Sequence, residues 1–321
     1  MEAIGGYFGY ESHRCGVGKF PHEDTLLFNT ARNAFRFFIL KRRFVNIYIP
    51  RYCCDALKNV LESTSTKYTL YGIDTSLAPI GIPDRLKDDE GLLYVDYFGV
   101  KSDCEEFLYD RYGASLIADH AQAFFDTPQG ADCVTIYSPR KFFGVPDGGI
   151  LCCHGSLDNS TLHIDKSSLR TTHMWLRKEV SAEAGFEYYR ANERLLAALP
   201  MRRMSALTAS MLSKVDYDFV RTRRLDNFIY LHQRLASVNE LKFNLKSITA
   251  PIAYPFLTSD SNLRERLLMH RIYTASYWHA TCAPLEEGSF ERYLQSNLVP
   301  LPIDQRYGTE HLDHILRLIN I

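Results

Sequence analysis

Short apolar runs typical of buried strands alternate with amphipathic segments through the first half of this chain. Parallel strands need a crossover connection, usually a helix, whereas antiparallel strands can be joined by a short turn. The alternation therefore predicts an α/β fold in which helices flank a mostly parallel sheet. The predicted strands are 44–49, 67–73, 91–96, 114–118, 133–137 and 149–153, and the predicted helices between them are 53–61 and 103–112.

The second half of the chain has a different pattern, which predicts a smaller α/β domain. Apolar residues recur at helical spacing from 204 to 229, which favours one long helix or two in succession. We therefore expect a large domain over residues 1–215, then the long helix and a small C-terminal domain over 216–321. The other elements predicted there are a strand at 252–257, a helix at 262–270, an extended segment at 299–303 and a terminal helix at 310–319.

The charges of the chain are balanced, which bears on its partners. With 37 Lys+Arg against 38 Asp+Glu the formal net charge is −1, so neither nucleic acid nor an anionic membrane is an expected partner. No apolar run approaches the ~20 residues of a membrane-spanning helix, and the first residues lack the pattern of a secretion signal. The eight cysteines include no CxxC pair at metal-binding spacing. We therefore expect reduced thiols, a cytoplasmic location and no metal site.

Polar side chains follow two of the predicted strands. Asp119 and Gln122 come after the strand at 114–118. Ser138 and Lys141 come after the next strand along the chain. Ligands of open parallel sheets bind outside the carboxyl ends of the strands, so these side chains are candidates for a site.

A phosphate site is predicted near Thr30. This residue precedes an apolar-periodic segment that ends in the cations 41–43, which suit the C-terminal end of a helix. The positive end of the helix dipole then lies at Thr30 and Ala31, where it can hold a phosphate. A lysine able to form a Schiff base, a carboxylate for a pyridine nitrogen and a phosphate site together suggest pyridoxal phosphate (PLP) as cofactor.

Five short stretches in fixed order are similar to the motifs of one enzyme family. They resemble the phosphate-binding helix start, the segment with the ring-stacking aromatic, the E-D-x-A-[QH] signature, the Schiff-base loop and the R-M-S helix start of DegT/StrS-type sugar-nucleotide aminotransferases. These are PLP enzymes of fold type I, and the resemblance runs over most of the chain. The matching segments are 28–34 (FNTARNA), 48–54 (YIPRYCC), 118–123 (ADHAQA), 137–141 (YSPRK) with 147–149 (DGG), and 203–208 (RMSALT).

The resemblance implies a role for each matching residue around the cofactor ring. Lys141 would bind the cofactor aldehyde as a Schiff base and later move a proton between substrate and cofactor. Asp119 would pair with the pyridinium nitrogen, and Gln122 would hydrogen-bond the phenolic oxygen. Tyr52 would stack on the ring.

The resemblance also implies how phosphate and substrate are held. Thr30, the backbone of Ala31 and Arg32, and the hydroxyl of Ser138 would hold the phosphate. Two further candidates face the substrate. Arg306 has the guanidinium geometry to clamp a carboxylate, although an ion pair within the protein is an equal alternative. Tyr7, in the segment GGYF, is a candidate to fold over the substrate, with a simple N-terminal turn as the alternative.

The implied function is an aminotransferase that moves an amino group from an amino acid to a keto sugar nucleotide, in a homodimer with its sites at the subunit interface. Two alternatives stay open. One keeps PLP but changes the reaction to that of a dehydratase, a lyase or a transaminase for a non-sugar ketone. The other is a non-catalytic relative that binds a sugar nucleotide or a partner. Its support is that Ala31 replaces the family's usual glycine and Met201 replaces an asparagine found in many members.

Overall fold

Twelve strands and ten α-helices form in the part of the chain that the computed structural model describes, residues 2–11, 19–130, 132–153, 155, 157–278 and 284–319. The strands are β1 (Ile4–Gly5), β2 (Thr25–Phe28), β3 (Asn46–Pro50), β4 (Lys67–Ile73), β5 (Pro79–Ile80), β6 (Glu90–Val95), β7 (Leu116–His120), β8 (Val134–Tyr137), β9 (Gly149–Cys152), β10 (Tyr254–Leu257), β11 (Ile272–Tyr273) and β12 (Leu298–Leu301). The helices are α1 (Ala31–Arg42), α2 (Asp55–Ser63), α3 (Ser102–Tyr112), α4 (Thr172–Glu179), α5 (Ala182–Ala198), α6 (Ala206–Leu212), α7 (Tyr217–Leu235), α8 (Leu263–Met269), α9 (Phe290–Asn297) and α10 (Thr309–Ile319).

Eight of the strands form one sheet in the order β2-β9-β8-β7-β6-β3-β4-β5. The pairs β3–β4, β3–β6, β6–β7 and β7–β8 are parallel, and the outer pairs β2–β9, β8–β9 and β4–β5 are antiparallel. The interior strand β6 is buried at all six positions, as expected for a strand covered on both faces. The predicted mostly parallel sheet is confirmed.

The direction of the crossovers defines where this sheet can bind a ligand. In the strand order, β4 lies to one side of β3, whereas β7 lies to the opposite side of β6, so the two crossovers run in opposite directions across the sheet. Because such crossovers are right-handed, α2 and α3 lie on opposite faces of the sheet. The strand order reverses between β3 and β6, and the crevice beyond their carboxyl ends is the expected ligand site.

The predicted elements agree with the observed ones within a few residues. The helical pattern over 204–229 is two helices, α6 and α7, and the chain turns between them because Ser213 ends α6 and Asp216 caps α7. Helices α4 and α5, which come between β9 and α6 along the chain, were not predicted.

Two small sheets complete the fold. Strands β10 and β12 pair antiparallel, and α7 contacts β10 and α10. The N-terminal strand β1 pairs with β11, so the first residues lie against the C-terminal part of the chain. The domain boundary between residues 215 and 216 stays a prediction. None of the helices in the described ranges has the length and apolarity needed to cross a bilayer.

Candidate active site

Asp119 and Lys141 lie at the carboxyl edge of the sheet, near the end of one strand and beyond the end of its neighbour. The sequence predicts Asp119 directly after its strand, whereas the structure places it within β7. Asp119 is the fourth residue of β7, and Lys141 ends a 3₁₀ turn that follows β8. The Asp119 carboxylate accepts a hydrogen bond from the backbone N–H of Ala121 at 2.9 Å. Burial raises the pKa of Asp119, and the Lys141 ammonium acts against that rise. The two side chains are therefore within electrostatic range of each other, as a Schiff-base lysine and a carboxylate for a ring nitrogen need to be.

Gln122 is buried beside this pair with one half of its amide unused. Its Oε1 accepts a hydrogen bond from the backbone N–H of Phe98 at 2.7 Å. Its Nε2 has no hydrogen-bond partner among the described residues, although the side chain is 2% exposed. Buried donors are nearly always paired, so this N–H group fits an acceptor supplied by a ligand.

The start of α1 has the properties predicted for an anion site. Thr30 is the N-cap, and its Oγ1 accepts from the backbone N–H of Asn33 at 3.1 Å. No acidic side chain lies in the first turn, so the positive end of the helix dipole is not compensated there. Ala31 is not among the described residues with positive φ, so an alanine is tolerated where the related enzymes carry glycine. The side chain of Arg32 turns toward α5 and donates to the carbonyl of Leu196 at 3.4 Å, which leaves its backbone for the predicted role.

Two glycines bring this helix start and the lysine turn together. Thr30 pairs with Gly148 through a β-bridge. A Cβ at Gly149 would lie 2.1 Å from the carbonyl carbon of Thr30, and a Cβ at Gly148 would lie 2.8 Å from Cγ of Pro139. Because only glycine allows both approaches, the buried Ser138, next to Pro139, is held on the same side of the sheet as the start of α1.

Two of the matching motifs contact each other directly. Asp147 is fully buried and accepts from the backbone N–H of Ser205 at 3.0 Å and from its hydroxyl at 2.7 Å. The hydroxyl of Thr208 also donates to Asp147. Burial raises the pKa of Asp147, whereas these donors favour the charged form. The segments 147–149 and 203–208 thus anchor the far end of the lysine loop.

Arg224 supports the lysine turn from α7, although its basic cluster with Arg221 and Arg223 in the sequence favours a solvated helix face. Its guanidinium has no exposed surface and lies 4.5 Å from the ring centroid of Phe142, the residue after Lys141. It donates to the carbonyl of Phe142 at 3.4 Å and to Oε1 of Gln305 at 3.1 Å. Its signal in the sequence is a basic residue on the apolar face of a helix, which the cluster of neighbouring arginines conceals.

Tyr52 is placed differently from the ring-stacking role expected for it. Its ring has no exposed surface and packs against the rings of Tyr97 at 5.9 Å and Trp278 at 5.0 Å. Its hydroxyl donates to the carbonyl of Tyr277 at 2.9 Å. The ring thus turns no free face toward the sheet edge, and stacking by Tyr52 stays a prediction.

Cys54, two residues further along, is closer to the charged pair. Its thiol is half-buried, which raises its pKa, and the Lys141 ammonium opposes that rise. Sequence reasoning missed this residue, whose signal is its position directly before α2 at the end of the β3 connection.

The two substrate candidates lie together, and neither is hydrogen-bonded to Lys141 in the described structure. Arg306 is paired with Asp304 through Nε at 2.7 Å and a terminal nitrogen at 2.9 Å. It also donates to the carbonyl of Tyr7 at 3.1 Å. The ring of Tyr7 stacks on Tyr189 at 4.7 Å. Because Asp304 accepts hydrogen bonds from two N–H groups of Arg306, the arrangement fits the alternative of an ion pair within the protein.

A cleft of about 1190 Å³ opens beside this pair rather than at the lysine. Arg177, Arg223 and Arg306 contribute to its walls, and Lys141 does not. The loop after Lys141 reaches the same region because the backbone N–H of Gly144 donates to Glu11, another wall residue, at 2.8 Å. The carboxyl edge of the sheet, and not this cleft, therefore holds the predicted cofactor residues.

Comparison with solved structures identifies the fold. NtdA from Bacillus subtilis with bound cofactor PMP is 13% identical and has a TM-score of 0.65, covering 92% of this chain and 73% of that one. A DegT/DnrJ/EryC1/StrS aminotransferase from Brucella abortus is 14% identical with a TM-score of 0.63, covering 94% and 86%. Helicobacter pylori PseC, an aminotransferase of pseudoaminic acid biosynthesis, is 12% identical with a TM-score of 0.60, covering 96% and 92%. No family model and no curated protein matches the chain. The chain has the fold of these aminotransferases, which confirms the predicted fold class.

Proposed function

We propose that this protein is a PLP-dependent aminotransferase that moves an amino group from an amino acid to a keto sugar nucleotide. The observation that carries the proposal is the charge interaction between Lys141 and Asp119 at the carboxyl edge of an aminotransferase fold. Structural neighbours support the substrate class: DesV of S. venezuelae was solved with a ketimine intermediate and DesI with its TDP-sugar product.

The residues around this edge fit the cofactor. The unpartnered Nε2 of Gln122 suits the phenolic oxygen, and the uncompensated start of α1 after Thr30 suits the phosphate. Ser138 lies on the same side as that helix start, and its hydroxyl caps no backbone N–H. Asp119 suits the ring nitrogen, because a carboxylate there keeps that nitrogen protonated.

The roles of the protein groups follow from their positions. When bound, PLP supplies an electron sink that stabilises negative charge on the substrate carbon. Lys141 would hold the cofactor through its amine, and the same amine, when free, would carry a proton to and from the substrate carbon. Asp119 and Gln122 would orient the ring through its nitrogen and its phenolic oxygen. The buried guanidinium of Arg224 fixes the turn that carries Lys141.

The proposal includes a homodimer in the cytoplasm. Large apolar side chains are exposed over residues 164–195, around helices α4 and α5, and a second copy of the chain would cover them. No contact with nucleic acid or membrane forms part of the proposal.

Covalent trapping of the cofactor tests the first half of this function. The purified protein is incubated with PLP, reduced with borohydride and digested, and the modified lysine is identified by mass spectrometry. We expect the label on Lys141, loss of the label in Lys141→Ala, and full labelling in Lys214→Ala, which removes an exposed lysine on the chain beyond α6. A label on other lysines, or none, would favour the non-catalytic alternative.

Spectroscopy tests the second half. The absorbance of the PLP-loaded protein should bleach on addition of a donor amino acid such as glutamate and should return on addition of a nucleotide-linked keto sugar. Bleaching without recovery by any keto sugar nucleotide, but with recovery by simple keto acids, would point to a transaminase of non-sugar ketones. Release of ammonia from the donor would point to a lyase.

A further inference from the structure

Three titratable side chains that have no assigned role at the cofactor site meet in the interior. Among the described residues, Asp96, Glu105 and His120 each place one oxygen or nitrogen ligand atom within 4.8 Å of the other two. None of the three has exposed surface. No sequence motif predicts this group, because the residues are spaced by 9 and 15 positions and match no metal-binding pattern.

One crossover of the sheet assembles the cluster. Asp96 directly follows β6, Glu105 lies in the first turn of α3, and His120 is the last residue of β7. Strands β6 and β7 are parallel neighbours, and α3 connects them. The three side chains therefore join the end of one strand, the covering helix and the end of the next strand.

Two of the three side chains carry an atom without a hydrogen-bond partner. Oε1 of Glu105 and Nδ1 of His120 have no hydrogen-bond partner in the described structure, and Oδ2 of Asp96 has one only if the neighbouring carboxyl group of Asp126 is protonated. The hydrogen bond within the cluster does not involve these atoms, because it joins Nε2 of His120 to Oε2 of Glu105. Fully buried carboxylate oxygens are almost always paired or bound to a metal, so these atoms point to a missing ligand.

We propose that Asp96, Glu105 and His120 bind a divalent transition-metal ion, Zn²⁺ or Mn²⁺, as a buried structural site. Two carboxylates and one imidazole form a donor set that first-row transition metals accept. Mg²⁺ and Ca²⁺ prefer oxygen ligands alone, so His120 disfavours them. Bonds of about 2.0–2.2 Å would draw Glu105 and His120 onto one ion in place of their direct hydrogen bond.

The charge balance of the surroundings supports a cation. A third carboxyl group, that of Asp126, is 6% exposed and faces Asp96, so three buried carboxyl groups share this region with one imidazole. The other titratable groups that act on the cluster include Tyr94, Tyr137, Cys104 and Cys133, which bring no positive charge. His22 also faces His120, but burial lowers the pKa of His22 to about 3, so it is neutral at pH 7. One imidazolium can balance one carboxylate, whereas a divalent ion can balance two.

Metal analysis of the full-length protein tests the proposal. The untagged protein is produced in minimal medium supplemented with Zn²⁺ or Mn²⁺ in turn, and its metal content is measured by mass spectrometry. We expect about one ion per chain for one of the two metals, and a thermal midpoint at least ~5 °C higher than after growth without it. Absence of stoichiometric metal under every condition would overturn the proposal.

Matched variants locate the ion. Glu105→Gln removes a proposed ligand, whereas Glu106→Gln changes the next residue of α3, which is exposed. We expect Glu105→Gln to lose the metal and Glu106→Gln to keep it. If the wild type holds metal and Glu105→Gln keeps it as well, the ion lies elsewhere and the assignment fails. None of these readouts depends on PLP or on transaminase activity, so the outcome is independent of the proposed function.

Discussion

A single buried guanidinium, that of Arg224, joins the lysine turn to the C-terminal part of the chain. It donates to the carbonyl of Phe142 on one side and to the carbonyl of Pro251 at 3.2 Å and the amide of Gln305 on the other. Burial lowers the pKa of Arg224 to about 10, which leaves it charged at neutral pH. A lysine keeps the charge but cannot reproduce the planar fork.

We predict that Arg224→Lys lowers the free energy of unfolding by about 2 kcal/mol, because several charge-assisted hydrogen bonds lose their geometry at a site without water. Urea unfolding followed by fluorescence measures this. The control is Arg221→Lys, one turn earlier on α7, where the exposed guanidinium pairs with Asp218. An equal effect of both substitutions would show that the fork of Arg224 is not what holds this region.

At the scale of residues, the sequence predicts side-chain positions that follow from the end of a strand. It does not predict positions that depend on tertiary packing. Asp119 and Lys141 could be predicted because the carboxyl ends of parallel strands meet at one edge. The burial of the Tyr52 ring could not be predicted, since it depends on an aromatic cluster formed with residues far along the chain, and its stacking on a cofactor stays a prediction. The Asp96 and Glu105 carboxyl groups carry no local signal either.

At the scale of elements, strands and helices with clear periodicity were predicted, and the α4–α5 pair was not. Helix α5 contains Gly185, which argues against a helix on propensity alone. The structure explains it: a Cβ there would lie 2.2 Å from the hydroxyl of Tyr7 and 2.7 Å from the carbonyl of His173. Gly185 thus allows α5 to pack closely against Tyr7 and against His173 of α4, a contact that local sequence patterns do not predict.

His173, in the first turn of α4, makes this helix pair sensitive to acid. Burial and the charge of Arg140 lower the pKa of His173 to about 4, against about 6.5 in an unfolded chain. Between these values the unfolded state takes up a proton that the native state does not. Stability is therefore complete above pH 6.5 and is lost as the pH falls toward 4. We predict that His173 lowers the free energy of unfolding by about 2 kcal/mol between pH 7 and pH 5.

The measurement is the change in urea midpoint between pH 7 and pH 5. His173→Gln should show a smaller change than the wild type, whereas His163→Gln, which replaces an exposed histidine, should match the wild type. If His173→Gln retains the full pH dependence, the acid sensitivity arises from other groups.

At the scale of the whole molecule, the chain ends close on each other. Strand β1 pairs with β11, and the backbone N–H of Gly5 donates to the hydroxyl of Tyr307 at 2.6 Å. These contacts span nearly the full chain length, so no window of sequence predicts them. They place Tyr7 and Arg306 side by side, which relates the two substrate candidates to each other more firmly than to Lys141.

The apolar surface around α4 and α5 yields the last prediction, that the protein is a dimer through this face. Leu169 is 95% exposed, and Tyr188 and Leu195, seven residues apart on one side of α5, are each 54% exposed. Exposed apolar side chains of this size in one region are typical of an interface. Light scattering should give twice the 36.9 kDa chain mass for the wild type and a monomer for Tyr188→Arg/Leu195→Arg. The control is Met269→Arg at the end of α8, which is 71% exposed and lies on another element. A monomeric wild type would contradict the dimer itself. A dimer that survives the double substitution but dissociates with the control would place the interface on another face.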